Sequence, residues 1–109
     1  MTMAEIELHD EITAWLDTLA PEEWERVVVV VDRLGQLGST ARLPFSRSLG
    51  EGLYELRFTL GHTARRITYR FTKDGRIILL TTFRKQRNNE RNEIVRARRA
   101  AAVCAITFP

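Results

Sequence analysis

Between Leu53 and Phe83 the chain reads as three β-strands in close succession, and this run dictates what the remaining residues must do. Tyr54, Leu56, Phe58 and Leu60 alternate with Glu55, Arg57 and Thr59, the period of a strand with one apolar face. After a Gly61-His62 turn, Ile67, Tyr69 and Phe71 repeat the pattern against Arg66, Thr68 and Arg70. Lys73-Asp74-Gly75 marks a second hairpin, because Asp-Gly accepts positive φ at little cost. Ile77–Phe83 is apolar on both faces at its start, as suits a central strand. A sheet with this pattern needs an apolar cover on at least one side.

The N-terminal third supplies that cover. Residues 4–9 alternate as a short first strand. From Asp10, the expected N-cap, Ile12, Trp15, Leu16 and Leu19 recur at helical spacing. Pro21-Glu22-Glu23 opens a second helix: proline loses nothing at a first helical position, and acids suit the positive end of the dipole. Trp24, Val27, Val28, Val31 and Leu34 continue its apolar stripe until Gly35 or Gly38. Five consecutive valines favour a strand by propensity, but the start signal and the 3.6-residue period select a helix. Both tryptophans fall on apolar stripes and are expected in the core. Residues 38–52 are rich in Gly, Ser and Pro and read as a loop, and residues 88 to about 102 as a last helix with a thin Ile94, Ala97, Ala101 seam. The expectation is α+β, one domain over 1–109, ordered β-α-α-β-β-β-α, with an antiparallel sheet packed on a helical hairpin.

Charge divides the chain. Residues 1–41 hold nine acids and two bases, Arg26 and Arg33, whereas residues 42–109 hold 15 bases and five acids. Of the 17 bases only Lys73 and Lys85 are lysine, and the planar fork of arginine is the group that grips phosphate by two bonds. A basic working face on an acidic supporting layer follows. Cys104 is the only cysteine, which excludes an internal disulfide and a cysteine metal site. The acidic start is unlike a signal peptide, and the longest apolar run, Val27–Val31, is far short of a membrane span. A cytoplasmic protein without a cofactor is expected.

If the apolar strand faces bury against the helices, Arg57, Arg66 and Arg70 share the opposite face, where cross-strand neighbours lie about 5 Å apart. Glu55 is the one acid near enough to offset them. Arg84-Lys85-Gln86-Arg87 forms a second basic cluster at the end of the last strand. Together these residues define a basic groove for a nucleic acid. His62, at a turn, is the side chain best suited to move a proton near neutral pH, and His9 is isolated from the basic strands. The sequence has no glycine-rich phosphate loop and no metal-ligand spacing.

These elements have a familiar order. Leu53–Arg57, Arg66–Phe71, Ile77–Lys85 and Glu93–Ala100, preceded by the acidic hairpin of residues 10–37, resemble the RelE/HigB-type toxins of the RelE/ParE superfamily, in particular their phage-derived Gp49-like branch. The resemblance implies the toxin of a type II toxin–antitoxin pair: a ribosome-dependent endoribonuclease that cuts mRNA without metal and inhibits translation. Its partners would be the ribosome, mRNA and a cognate helix-turn-helix antitoxin of HigA type, bound as a hetero-oligomer. By position, Arg57 and Arg66 would hold the scissile phosphate, Arg84 and Lys85 match the family's basic pair, and Arg65, Arg70 and Arg87 would support RNA binding. The sequence departs from relatives that carry Tyr, His or Asp late in the groove, leaving His62 and Lys85 to handle the proton. Two further readings remain open: a ParE-like gyrase poison, and a catalytically silent RNA- or ribosome-binding module.

Overall fold

The computed structural model describes residues 3–86 and 88–109. The chain runs β1 (Ile6–Leu8), α1 (Asp10–Leu16), α2 (Pro21–Leu37), a 3-10 turn, β2 (Ser46–Gly50), β3 (Leu53–Leu60), β4 (Thr63–Phe71), β5 (Ile77–Arg84) and α3 (Glu90–Thr107). The five strands form one sheet in the order β1-β5-β4-β3-β2. β1 is parallel to β5 and the other pairings are antiparallel. The α+β class and the succession of elements agree with the sequence, with one strand more than expected.

That extra strand is β2, which lies inside the stretch read as a loop. Ser-Arg-Ser-Leu-Gly has neither alternation nor strong β propensity. It becomes a strand because the edge of β3 offers unpaired backbone groups: Ser46 pairs with Leu56, Arg47 with Glu55 and Ser48 with Tyr54 before a bulge. The Ser46 hydroxyl also shares a hydrogen bond with the buried Tyr69 hydroxyl.

Helix α2 begins at Pro21, and the Glu23 carboxylate reaches back to accept the Ala20 N–H at 3.0 Å, satisfying one otherwise orphaned donor. Gly38 closes it with φ +53°, a backbone angle that L side chains resist. Its buried face is Val27, Val30 and Leu34, packed on Leu56, Phe58, Leu60, Ile67, Tyr69, Ile77 and Leu79 of the sheet, with Ile12 from α1. The stripe is therefore rotated from the one expected. Trp24 is 49% exposed and Val28 37%, because α1 is only seven residues long and leaves the first turns of α2 partly uncovered. Trp15 is half-buried.

The opposite face of the sheet is not open as expected. Helix α3 lies on it and, with Leu53, Ile78 and Leu80, encloses a second core containing Ala97 and Cys104. The physical cause is β5, whose two apolar faces both require cover; an inserted residue, Leu80, shifts its register against β4. Helix α3 accordingly continues to Thr107, beyond the end read near residue 102, and Cys104 is a buried core residue. α1 starts one residue earlier than read, with His9 as its N-cap and Asp10 in its first turn.

Leu34 and Val29 lie on opposite sides of the same helix, fully buried and 59% exposed. Leu34→Ala should cost about 2–5 kcal/mol in urea unfolding, and Val29→Ala should stay within about 0.5 kcal/mol.

Candidate nucleic-acid interface

Strand register decides which charged side chains meet. Arg57 lies opposite Arg66, Glu55 opposite Thr68, and Arg47 of β2 opposite Glu55, so all five share the α3 side of the sheet. Paired residues on antiparallel strands point to the same face. Helix α3 covers the apolar part of that face and leaves a polar part near its own N-terminus.

At the floor of this polar part lies Glu55, whose side chain is 2% exposed, with Arg66 at 9%. Arg66 Nε is 2.8 Å from Glu55 Oε1, and Arg47 Nε is 3.6 Å from Oε2. The Arg66 N–H is not aimed along the short contact, so the two charges touch while Nε and both carboxylate oxygens lack an aligned hydrogen bond. Arg66 Nη1 donates to the Arg65 carbonyl at 3.0 Å. Nearby, the Thr68 and Thr81 hydroxyls bond one another in the interior.

Towards solvent the alternation of charge continues. Lys85 Nζ donates to Glu90 Oε2 at 3.0 Å, and Arg47 Nη2 lies 3.9 Å from Glu90 Oε1. The hydrogen bond from Lys85, together with the Lys85, Arg47 and Arg66 charges, holds the Glu90 carboxyl below its ordinary value, against a smaller opposing effect of burial. The order Arg66, Glu55, Arg47, Glu90, Lys85 thus runs from a buried floor to a wet mouth. Asn89 braces that mouth: its amide donates to the Arg84 carbonyl and its side-chain oxygen accepts the Gln86 N–H. Among the described residues no group of three or more His, Cys, Asp or Glu is placed to hold a metal ion.

The expected site residues are distributed differently from the sequence reading. Arg66 is buried and tied to Glu55, not free on an open face. Arg70 lies beneath the C-terminal end of α3, where Nη1 donates to the Phe108 carbonyl, a favourable place for a cation. Arg57 is half-buried and lines a separate groove with Arg26 and Arg33. Arg65 and Arg84 pair across the strands on the other face. There the Arg65 guanidinium lies over the Trp15 ring at 4.6 Å and donates to Thr82 Oγ1. Burial, and then the Arg84 charge, lower the Arg65 pKa. Lys85 stands at the mouth of the cluster. His62 is exposed in the β3–β4 turn, four residues from Arg66, or roughly 13 Å along the ladder. Arg87 is outside the described residues.

Three members of the cluster, Arg47, Glu55 and Glu90, were not among the expected site residues. Arg47 was hidden by the loop reading of its strand. Glu55 carried a visible signal: it is the one acid on the polar side of two arginine-bearing strands, and an acid there either neutralises or works with its neighbours.

The sequence matches the family described as phage-derived protein Gp49-like over residues 14–102. No curated protein matches it. Two solved structures are similar in fold. A chain of the toxin–antitoxin complex RelBE2 from Mycobacterium tuberculosis superposes with a TM-score of 0.58 at 17% identity, covering 76% of this chain and 99% of that one. An arginine-to-alanine double mutant of E. coli toxin RelE in the free state superposes with a TM-score of 0.62 at 10% identity, covering 94% and 97%. With most of its length inside the family's match and its sheet and helices arranged as in those structures, the chain belongs to the phage-derived Gp49-like family and has the fold of the RelE toxins.

Proposed function

We propose that this protein is the toxin of a type II toxin–antitoxin pair and acts as a ribosome-dependent, metal-independent mRNA endoribonuclease that inhibits translation. The observation that carries the reading is the Glu55–Arg66 pair: a carboxylate and a guanidinium held side by side at the base of a cationic mouth. RNA cleavage by its own 2′-OH needs these two groups, a base for the hydroxyl proton and a cation for the charge that grows on the phosphate. In the proposed reaction the 2′-oxygen attacks the adjacent phosphorus as Glu55 takes its proton. The P–O5′ bond breaks to leave a 2′,3′-cyclic phosphate, and the departing 5′-oxygen takes a proton from the Lys85 ammonium. Arg66 stabilises the phosphorane-like charge, while Arg57 and Arg84 favour the approaching backbone from the flanks.

This assignment moves the base from His62 to Glu55, because His62 is too distant along the hairpin. Arg47, the more exposed of the two arginines beside Glu55, and Lys85 are held by Glu90 when RNA is absent. An arriving phosphate competes with Glu90 for both cations and uncovers the carboxylate beneath. The partners required by this reading are the ribosome and mRNA during action, and a helix-turn-helix HigA-type antitoxin in the resting hetero-oligomer. The setting is the cytoplasm; no helix among the described residues is long and apolar enough to cross a membrane.

Expression without the partner should arrest growth and produce new mRNA 5′ ends. Glu55→Gln should slow cleavage by about a hundredfold or more, as loss of a general base does. DNA breaks in place of mRNA ends would identify a gyrase poison, and growth arrest with intact mRNA and DNA a silent ribosome-binding module.

The mouth has its own pH signature. Glu90 binds its proton more weakly in the folded protein than in the unfolded chain. Its ion pairs therefore contribute stability that is complete above the ordinary carboxylate pKa and is lost as pH falls through the lowered value. Thermal unfolding should show Glu90→Gln less stable than wild type at neutral pH and equal to it in strong acid. A difference that persists in acid would show that Glu90 acts by packing.

A further inference from the structure

Residues 1–41 contain only two bases, Arg26 and Arg33, and both lie on the same stretch of α2 one heptad apart. They line a groove of about 330 Å³ with Arg57 of β3, over a floor that includes Val29, Val30, Pro44 and Phe45. Among the described residues none of these three arginines lies within 4.0 Å of a carboxylate, whereas Arg47, Arg66, Arg76, Lys85, Arg96 and Arg98 all do. Three arginines without a carboxylate partner thus line one groove, and the positive charge left unanswered there favours an anion.

The adjoining backbone restricts which anion fits. β2 ends its pairing with β3 at Ser46 and Leu56, and one more hydrogen bond joins Arg57 N to the Phe45 carbonyl at 2.8 Å. Past that point, among the described residues, no strand pairs with the outer edge of β3. Backbone groups alternate in direction along a strand, so Thr59, which is exposed, presents its N–H and C=O to the same outer side as Arg57. A peptide in extended form satisfies such an edge, with side chains alternately over the groove and away from it. An RNA strand suits the place poorly. It offers no backbone donors and acceptors at strand spacing, and the face of Phe45 on which a base would stack is occupied by Arg33, 4.5 Å from the ring centre.

We propose that this groove, with the open edge of β3 at Thr59, binds an extended acidic peptide segment of a partner protein. Its carboxylates pair with Arg26 and Arg33, and an apolar side chain rests on Val29 and Pro44. The inference stands apart from RNA cleavage, since Arg26 and Arg33 have no place in that chemistry.

The test uses the full chain and two probes: a fluorescein-labelled peptide of alternating Glu and Leu, and single-stranded polyuridine. Arg26→Glu/Arg33→Glu should weaken peptide binding by about tenfold or more through direct charge reversal, and leave polyuridine binding and mRNA cleavage at wild-type levels. Arg26→Gln/Arg33→Gln, which keeps the helix surface neutral, should weaken the peptide to a smaller extent. Amide exchange at Thr59 should slow when the peptide is bound. Wild-type peptide affinity in both variants, parallel loss of polyuridine binding, or unchanged exchange at Thr59 would overturn the proposal; the polyuridine loss would make the groove an RNA site. A chain that binds the peptide in this way but cuts no RNA leaves this inference standing and removes only the cleavage reading.

Discussion

A carboxylate and a guanidinium taken out of water together are costly to bury, and several kcal/mol of lost hydration per ion must be offset by their mutual attraction and by what surrounds them. Glu55 and Arg66 meet that condition only because three strands and a helix converge on them. β3 and β4 carry the two groups, β2 brings Arg47 to the outer oxygen, and the first turn of α3 places Glu90 over Arg47 and Lys85. The path of α3 is in turn fixed away from the cluster. Arg96 bonds Glu11, Glu93 and the Thr82 carbonyl, which ties the helix to α1 and β5. Arg98 holds it to the Leu49 and Gly50 carbonyls at the end of β2. Removing either partner of the buried pair strands the other charge, so the floor of the interface is also a structural element.

Most of the architecture was legible because it is local. Alternation over Leu53–Leu60 and Thr63–Phe71, the Asp74-Gly75 turn with Gly75 at φ +87°, and Pro21 at the start of α2 each have short-range causes. What escaped was decided at long range. β2 owes its strand to the edge of β3, and the rotation of α2 owes itself to the shortness of α1. The covering of the second sheet face follows from β5, which is apolar on both faces at its start and packs Ile78 and Leu80 against α3. The arginine count pointed to a basic surface, but a count does not say which cations are already answered by Glu55, Glu90 or a helix end. His62 attracted attention by chemistry alone, while register places it away from the charged cluster.

The basic residues consequently divide into two populations. Arg47, Arg66 and Lys85 are neutralised from within by Glu55 and Glu90. Arg26 and Arg33 have no carboxylate partner within 4.0 Å and line a groove beside an open strand edge.

Glu55 and Arg66 are expected to act as one unit in folding and in the proposed cleavage, and a double-mutant cycle measures that directly. Glu55→Leu and Arg66→Met should each destabilise the protein by about 3–5 kcal/mol, while the double variant, with two apolar side chains facing one another, should return close to wild-type stability and cut no RNA. Additive destabilisation in the double variant, or RNA cleavage that survives it, would contradict the account.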